Sequence, residues 1–348
     1  MINDEKGGII MKKINLTHAM FGAADFNLYE DDHFNVTTFT YPSGVEGLKV
    51  ANSQGHLVVL PFMGLIIWDA IFDGISLKMK DMFSQPYPGK GIADTYGCFQ
   101  FTSGLLGNGT PTPEDGYQLH GEFPTSQMDH AYLTIGDGTL TMHADFEYVK
   151  GFGDHYLSEP SVILHQDSGL FDINLTVTNL SKYQTMPLQY MCHMNYAYAA
   201  NGKIEQNLPD DAFQLRQTIP AHVHPTADWI KYNDQLKASG ELINQLDDGH
   251  QYDPEIVFFS KDLTEYADEA VFRMHLDGQH NFMTKFKTAQ FPIVTRWLLY
   301  NADQQVAAFA LPGTSTPEGR NAAEQAGTLI HLKPLESRSF TVTTGLEK

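Results

Sequence analysis

Cysteine is almost missing. The 348-residue chain has two, Cys98 and Cys192, with no CxxC or zinc-type spacing, which excludes a metal site built on cysteine and fits a reducing compartment. Positive charge is scarce as well: 22 Lys and Arg face 42 Asp and Glu, a formal net charge of −20. Such a balance repels nucleic acid and anionic membrane surfaces, whereas a neutral polar ligand such as a sugar is indifferent to it. No segment approaches the ~20 apolar residues of a membrane span. The first twenty residues, MINDEKGGIIMKKINLTHAM, hold no apolar run of signal-peptide length. The expectation is a soluble cytoplasmic protein with neither nucleic acid nor membrane as partner. Helical patterns are few. Only DWIKYNDQLKASGELINQL, residues 228–246, holds the pattern of one or two short helical turns.

What the chain does have is apolar and aromatic residues. Hydrophobic residues make up 42% and aromatics 12%, with 22 Phe and 16 Tyr, a composition that suits sheets. GTLTMHADFEYV alternates Leu140, Met142, Ala144, Phe146 and Tyr148 against Thr141, His143, Asp145 and Glu147. That period of two describes a strand with one face buried. GLFDINLTVTNLS repeats it through Phe171, Ile173, Leu175 and Val177, and SRSFTVTTGL closes the chain in the same way. The longer apolar runs HLVVLPFMGLIIWDAIFDG and PIVTRWLLY read as strands covered on both faces. The loops SQPYPGKGIADTYG and GLLGNGTPTPEDGYQLHGEFP are long and rich in Gly and Pro, where ligand contacts commonly lie. Length alone would allow two domains, but large all-β folds run past ~250 residues as one unit. The reading is an all-β, mostly antiparallel stack of sheets: residues 1–20 a flexible N-terminal extension, 21–348 one domain. Met11 offers a second start, and nothing marks an oligomer interface.

The polar candidates stand out against this background. PLQYMCHMNYAYAANG carries His193 and Asn195 two positions apart, so on a strand they share a face. Two hydrogen-bonding side chains on an aromatic-rich strand suit a concave pocket, and they equally suit satisfied groups of a core or edge. His120, in QLHGEFPT, precedes a glycine that lets the backbone turn sharply and present the imidazole. His222 and His224, in AHVHP, have a spacing that holds a metal where further ligands converge. Asp253 and Glu255 precede one strand, and Glu318 and Glu324 precede the last hairpin. Arg296 and Lys287 are suited to clamp an oxygen-rich ligand. Trp68 and Trp297 are suited to stack on a sugar face or to pack in a core.

In this order, the segments resemble the galactose mutarotase (aldose 1-epimerase) superfamily, and within it the DUF4432-type aldose 1-epimerase-like proteins. GHLVVLPFMGLIIWDAIFDG is similar to the opening strands and YQLHGEFP to the His-Gly loop. GLFDINLTVTNLSKYQTMPLQYMCHMNYAY is similar to the central strand pair, YDPEIVFF to the Asp-containing segment, and GTLIHLKPLESRSFTV to the closing hairpin. The resemblance spans roughly residues 40 to 345 and rests on the order of the five, none being specific alone. It implies a β-supersandwich whose concave sheet holds a sugar, with no metal or organic cofactor. It also implies mutarotation: a proton leaves the anomeric hydroxyl, another reaches the ring oxygen, the carbonyl turns and the ring recloses. By the resemblance His193 would protonate the ring oxygen, His120 would bind or assist and Asp253 would hold sugar hydroxyls, while Asn195, Arg296, Lys287 and Glu324 are read from the residues themselves as further substrate-binding candidates. The chain departs from the pattern where the family's catalytic glutamate belongs, since Leu311 stands there. Either Glu318 moves in from the next turn, or Glu324 does, or mutarotation is absent. The arginine expected near residues 100–108 is missing, and His-x-x-Phe-Asn has become His193-Met194-Asn195.

Three readings follow: a monosaccharide isomerase using His193, His120 and Glu318; a sugar-binding protein without chemistry; and a metal-assisted sugar isomerase built on His120, His193, His222 and His224.

Overall fold

The computed structural model describes residues 11–220, 223–247, 249 and 252–348. Among these, twenty-two strands, numbered in chain order, form most of the regular structure. β1 is Lys12–Leu16, and β2 to β8 are Phe26–Glu30, Asn35–Thr40, Glu46–Ala51, Gly55–Leu60, Ile66–Phe72, Ile75–Ser76 and Gln100–Leu105. β9 to β12 are His130–Gly136, Thr139–Val149, His155–His165 and Leu170–Asn179. β13 to β16 are Met186–Met194, Lys203–Gln206, Phe213–Leu215 and Ile256–Ser260. β17 to β22 are Glu269–His275, Asn281–Lys287, Ile293–Tyr300, Gln305–Gly313, Ile330–Leu332 and Ser337–Glu347.

Local chemistry explains the joints. Thr139 pairs with Gly136 across the two-residue turn Asp137-Gly138, whose φ values of 53° and 69° give the turn that suits a twisted hairpin. In β12 every second residue is buried, and Phe171, Ile173, Leu175 and Val177 enter the core as the alternation predicts. Each such apolar side chain contributes about 1.5–3 kcal/mol on burial.

The strands make two antiparallel sheets. One has nine strands in the order β1-β9-β10-β11-β12-β22-β18-β17-β14. The other has thirteen, in the order β15-β16-β19-β20-β13-β8-β6-β5-β4-β3-β2, with β21 beside β13 and β7 beside β6. The apolar faces of both sheets contribute to one large core cluster. All of β8 and β16, and all but the first residue of β20, are buried. The middle of the larger sheet is thus covered on both faces.

Two sequence expectations change. Lys12–Leu16, within the stretch read as an extension, instead pair with β9 as an edge strand. The short helical turns become one helix, α1 (Ala227–Ser239), capped by Thr226 and ended by Gly240 at φ 68°. Trp229, Asn233 and Leu236 are its buried residues, at the spacing of one helical face. A second helix, α2, spans Arg320–Gln325.

Arg296 ties the layers together. It lies on β19, fully buried, where two residues of β20, Phe309 and Ala310, stand opposite it in a bulge. Its guanidinium donates to the Phe309 carbonyl, the Ile243 carbonyl (2.7 Å), Asn244 Oδ1 (2.9 Å) and Gln206 Oε1 (2.7 Å). Gln206 belongs to β14 of the smaller sheet, so one cation spans both. Burial lowers its pKa to about 9. Replacing it with methionine, R296M, leaves four acceptors without their donor, two of them the buried Phe309 and Ile243 carbonyls. The expected loss is about 3 kcal/mol or more of unfolding free energy, read from urea denaturation. A loss below about 1 kcal/mol would contradict this role.

Candidate functional site

The outer face of the larger sheet floors a cavity of about 420 Å³, within the range of small-molecule sites. Alternation decides what enters it. From β13 come Met191 and His193, from β19 Thr295, Trp297 and Leu299, and from β16 Val257. Their neighbours Cys192, Met194, Val294 and Leu298 face the core instead. Loops supply Tyr96, His120, Arg216, Asp253, Glu255 and Asn301.

The floor is an aromatic cluster holding two imidazoles. His193 stacks on Phe101 with ring centroids 4.5 Å apart, and His120 stands edge-on at 4.9 Å. Tyr96 and Trp297 close the group, at 5.9 and 5.6 Å from the His193 ring. His193 is 3% exposed. Burial drives its pKa well below the usual imidazole range and His120 adds to the effect, while Asn195 opposes both. The Tyr96 hydroxyl, held protonated by burial, lies 3.3 Å from His193 Nε2. Donation along that contact puts the imidazole proton on Nδ1. His193 Nδ1 and Asn195 Oδ1 make no hydrogen bond of ordinary geometry, yet the Asn195 amide still favours the protonated ring.

His120 is set by its surroundings. It takes a left-handed backbone, φ 61°, followed by Gly121 at φ 83°. A Cβ at Gly121 would lie 2.2 Å from the Gly107 carbonyl oxygen, so only glycine fits. Ser103 Oγ donates its one proton to Asn108 Oδ1 and therefore accepts from His120 Nδ1, 2.8 Å away. This fixes the neutral ring's proton on Nδ1 and its lone pair on Nε2. Beneath the loop, Glu122 accepts from the Leu105 and Leu106 amides and from the Tyr156 hydroxyl.

A charged wall adjoins the floor. Trp297 Nε1 donates to Glu255 Oε2 at 2.9 Å. Arg216 Nη1 is 3.7 Å from Glu255 Oε1, and Arg216 Nε is 3.6 Å from Glu318 Oε1. Burial raises the pKa of Glu255, against opposing pulls from Arg216 and the indole. Asp253 Oδ1 accepts from Asn301 Nδ2 at 3.1 Å.

The residues named from sequence divide between the cavity and elsewhere. His120, His193 and Asp253 line it, as do Trp297 and Leu311. Asn195 sits behind it, fully buried, its amide donating to the Cys98 carbonyl. Glu318 does not line it; its carboxylate takes the Thr218 hydroxyl at 2.6 Å. Arg296 projects from the opposite face of β19 into the contact between the sheets. Lys287 ends β18 in the other sheet, exposed and in register with Glu269. Glu324 is exposed on α2 and pairs with His331 at 3.0 Å. Trp68 belongs to a separate apolar cluster. His222 lies outside the described residues and His224 is exposed. Among the described residues no cluster of three or more His, Cys, Asp or Glu is arranged to hold a metal, and no helix is long and apolar enough to cross a membrane. The sequence reading did not single out Arg216, Tyr96 or Asn301. It named Glu255 only as a strand-end carboxylate, although Glu255 stands two residues before Val257, on the alternation that faces the cavity.

The depressed His193 pKa makes stability depend on pH. The unfolded ring binds its proton near pH 6.5 and the folded one only at lower pH. Its stabilising contribution is therefore complete above pH 6.5 and lost as pH falls toward the folded value. Urea unfolding of wild type and His193→Gln at pH 7.5 and 5.5 is expected to show their difference change by about 1 kcal/mol in favour of the variant. A constant difference would show that the ring titrates normally.

Comparison with known proteins now bears on the site. Residues 218–346 match the domain of unknown function DUF4432. No curated protein matches the chain. A candidate aldose 1-epimerase from Klebsiella pneumoniae superposes with a TM-score of 0.80 at 15% identity, over 97% of this chain and 91% of that one. A galactose mutarotase-like protein from Clostridium acetobutylicum gives 0.62 at 13%, over 91% and 100%. An aldose epimerase homologue from C. elegans gives 0.53 at 12%, over 86% and 98%. At these identities the likeness is one of fold. The chain therefore has the fold of these galactose mutarotase-like structures, all-β and mostly antiparallel, and its residues 218–346 match DUF4432.

Proposed function

We propose that the protein is a carbohydrate isomerase of the aldose 1-epimerase type, opening and reclosing the ring of a free or modified monosaccharide. The observation that carries this reading is the pair of imidazoles, 4.9 Å apart, on the floor of a cavity of about 420 Å³. Ring opening needs one group to take the anomeric proton and another to supply one to the ring oxygen, both within reach of a single sugar. Two nitrogen bases beside a protonated phenol and a buried carboxylate meet that need. Trp297 offers an apolar face for the C–H side of the ring, and Asp253 and Asn301 offer hydroxyl partners.

The charges favour a neutral substrate. Arg216 is the one Lys or Arg among the described lining residues, and Glu255 and Glu318 already flank it. A phosphorylated or acidic sugar would meet an offset cation in a chain of net charge −20. The mutarotase and epimerase descriptions of the structural relatives agree with this reading. A second reading, sugar binding without chemistry, draws on Leu311, which lines the cavity where the resemblance places a glutamate.

NMR exchange spectroscopy on a panel of neutral aldoses and their 6-phosphates tests both. The expected result is faster anomer exchange for a neutral aldose, little for the phosphates, and a loss of about 100-fold or more in His193→Ala and His120→Ala. Binding of an aldose without any rate effect would select the second reading.

A further inference from the structure

We propose that Glu255, in place of Glu318, is the carboxylate that exchanges a proton with the sugar, with the acid and base roles of the sequence expectation exchanged between the carboxyl and His193. The inference rests on the isomerase reading above and deepens it.

Access is the first reason. Glu255 lines the cavity and Glu318 does not. Arg216 directs Nη1 toward Glu255 and Nε toward Glu318, so the guanidinium stands between the two carboxylates. Thr218 already engages Glu318.

Orientation is the second. The Trp297 indole holds Glu255 Oε2, and the nearest Arg216 nitrogen is 3.7 Å from Oε1, beyond a hydrogen bond. One carboxylate oxygen is fixed and the other keeps its capacity for a ligand. The indole that fixes it is also the ring 5.6 Å from His193, so Glu255 and the imidazole flank one aromatic plane suited to a sugar.

Proton inventory is the third. Burial raises the Glu255 pKa and lowers that of His193, so each shift favours the carboxyl as donor and the imidazole as acceptor. In the forward step the Glu255 carboxyl gives its proton to the ring oxygen as the C1–O5 bond breaks. The anomeric hydroxyl gives its proton to the Tyr96 oxygen as the phenol passes its own to His193 Nε2, and C1=O1 forms. After the carbonyl turns, O5 attacks C1 and returns its proton to Glu255, while the imidazolium reprotonates O1 through Tyr96. Each group ends as it began.

The experiment compares wild type, Glu255→Gln and Glu318→Gln by NMR exchange on the best neutral aldose, with affinity from calorimetry. In Glu255→Gln the side-chain amide keeps an acceptor for Trp297 but cannot supply or accept the proton. Expected are a rate loss of about 100-fold or more for Glu255→Gln with affinity within about threefold, and a Glu318→Gln rate within about fivefold of wild type. Added formate is expected to restore part of the rate to Glu255→Ala and none to Glu318→Ala, a readout that a structural role would not give and that also serves should Glu255→Gln fold poorly. Loss of rate in Glu318→Gln alone, or unchanged rates in both glutamine variants, overturns the inference and leaves the isomerase reading standing. No exchange by wild type on any aldose overturns both.

Discussion

The candidate site depends on strands that are buried on both faces. Along β13 and β19 one set of side chains goes to the core between the sheets and the other set to the cavity. That constraint puts Cys192 and His193 on opposite sides of one backbone, and Arg296 and Trp297 on opposite sides of another. A shift of one residue in either strand would exchange the two sets. The cavity floor is therefore as rigid as the core behind it. It places imidazole, phenol and indole on the fixed element, while the loops bring the charged groups.

Desolvation gives that floor its chemistry. An imidazole among Phe101, Tyr96 and Trp297 holds little affinity for a proton, and a carboxyl behind an indole holds more than usual. The two shifts converge, so that an acid and a base which would be far apart in water come toward the same pH. The buried cation of the other face follows a different rule. Arg296 donates directly to neutral oxygens, with the Asp210 carboxylate one step beyond on Gln206 and Asn244, and its five-donor fork lets one side chain satisfy acceptors from both sheets and the segment between them. The same residue type performs adhesion there and charge partition at Arg216.

Much of the fold was legible because period-two alternation is a local property. β10, β12, β19 and β22 stand where Leu140, Phe171, the PIVTRWLLY run and the closing SRSFTVTTGL put them. The His-Gly loop was legible for a similar reason, since Gly121 is required by its backbone and His120 comes with it. What failed depended on partners far along the chain. Lys287 looks like a ligand clamp until β18 is seen to belong to the smaller sheet. Arg296 and Trp297 are adjacent in sequence, so both cannot enter the same cavity. Asn195 falls just past the end of β13, where strict alternation no longer applies, and it backs the histidine instead of standing beside it. Choosing Glu255 over Glu318 required knowing where Arg216 goes, and β15, only three residues long, carries no pattern that says so.

Both cysteines are buried, Cys192 in the core between the sheets and Cys98 in the separate apolar cluster that holds Trp68 and Phe101. The carbonyl of Cys98 is tied to Asn195, Cys192 adjoins His193, and burial pushes both thiols up to about 12. Alkylating reagents attack thiolates, so neither sulfur is a target while the sheets stay closed. Covalent capture of Cys192 would then act as a stopwatch for opening of the wall behind the histidine, recording how often the platform itself comes apart.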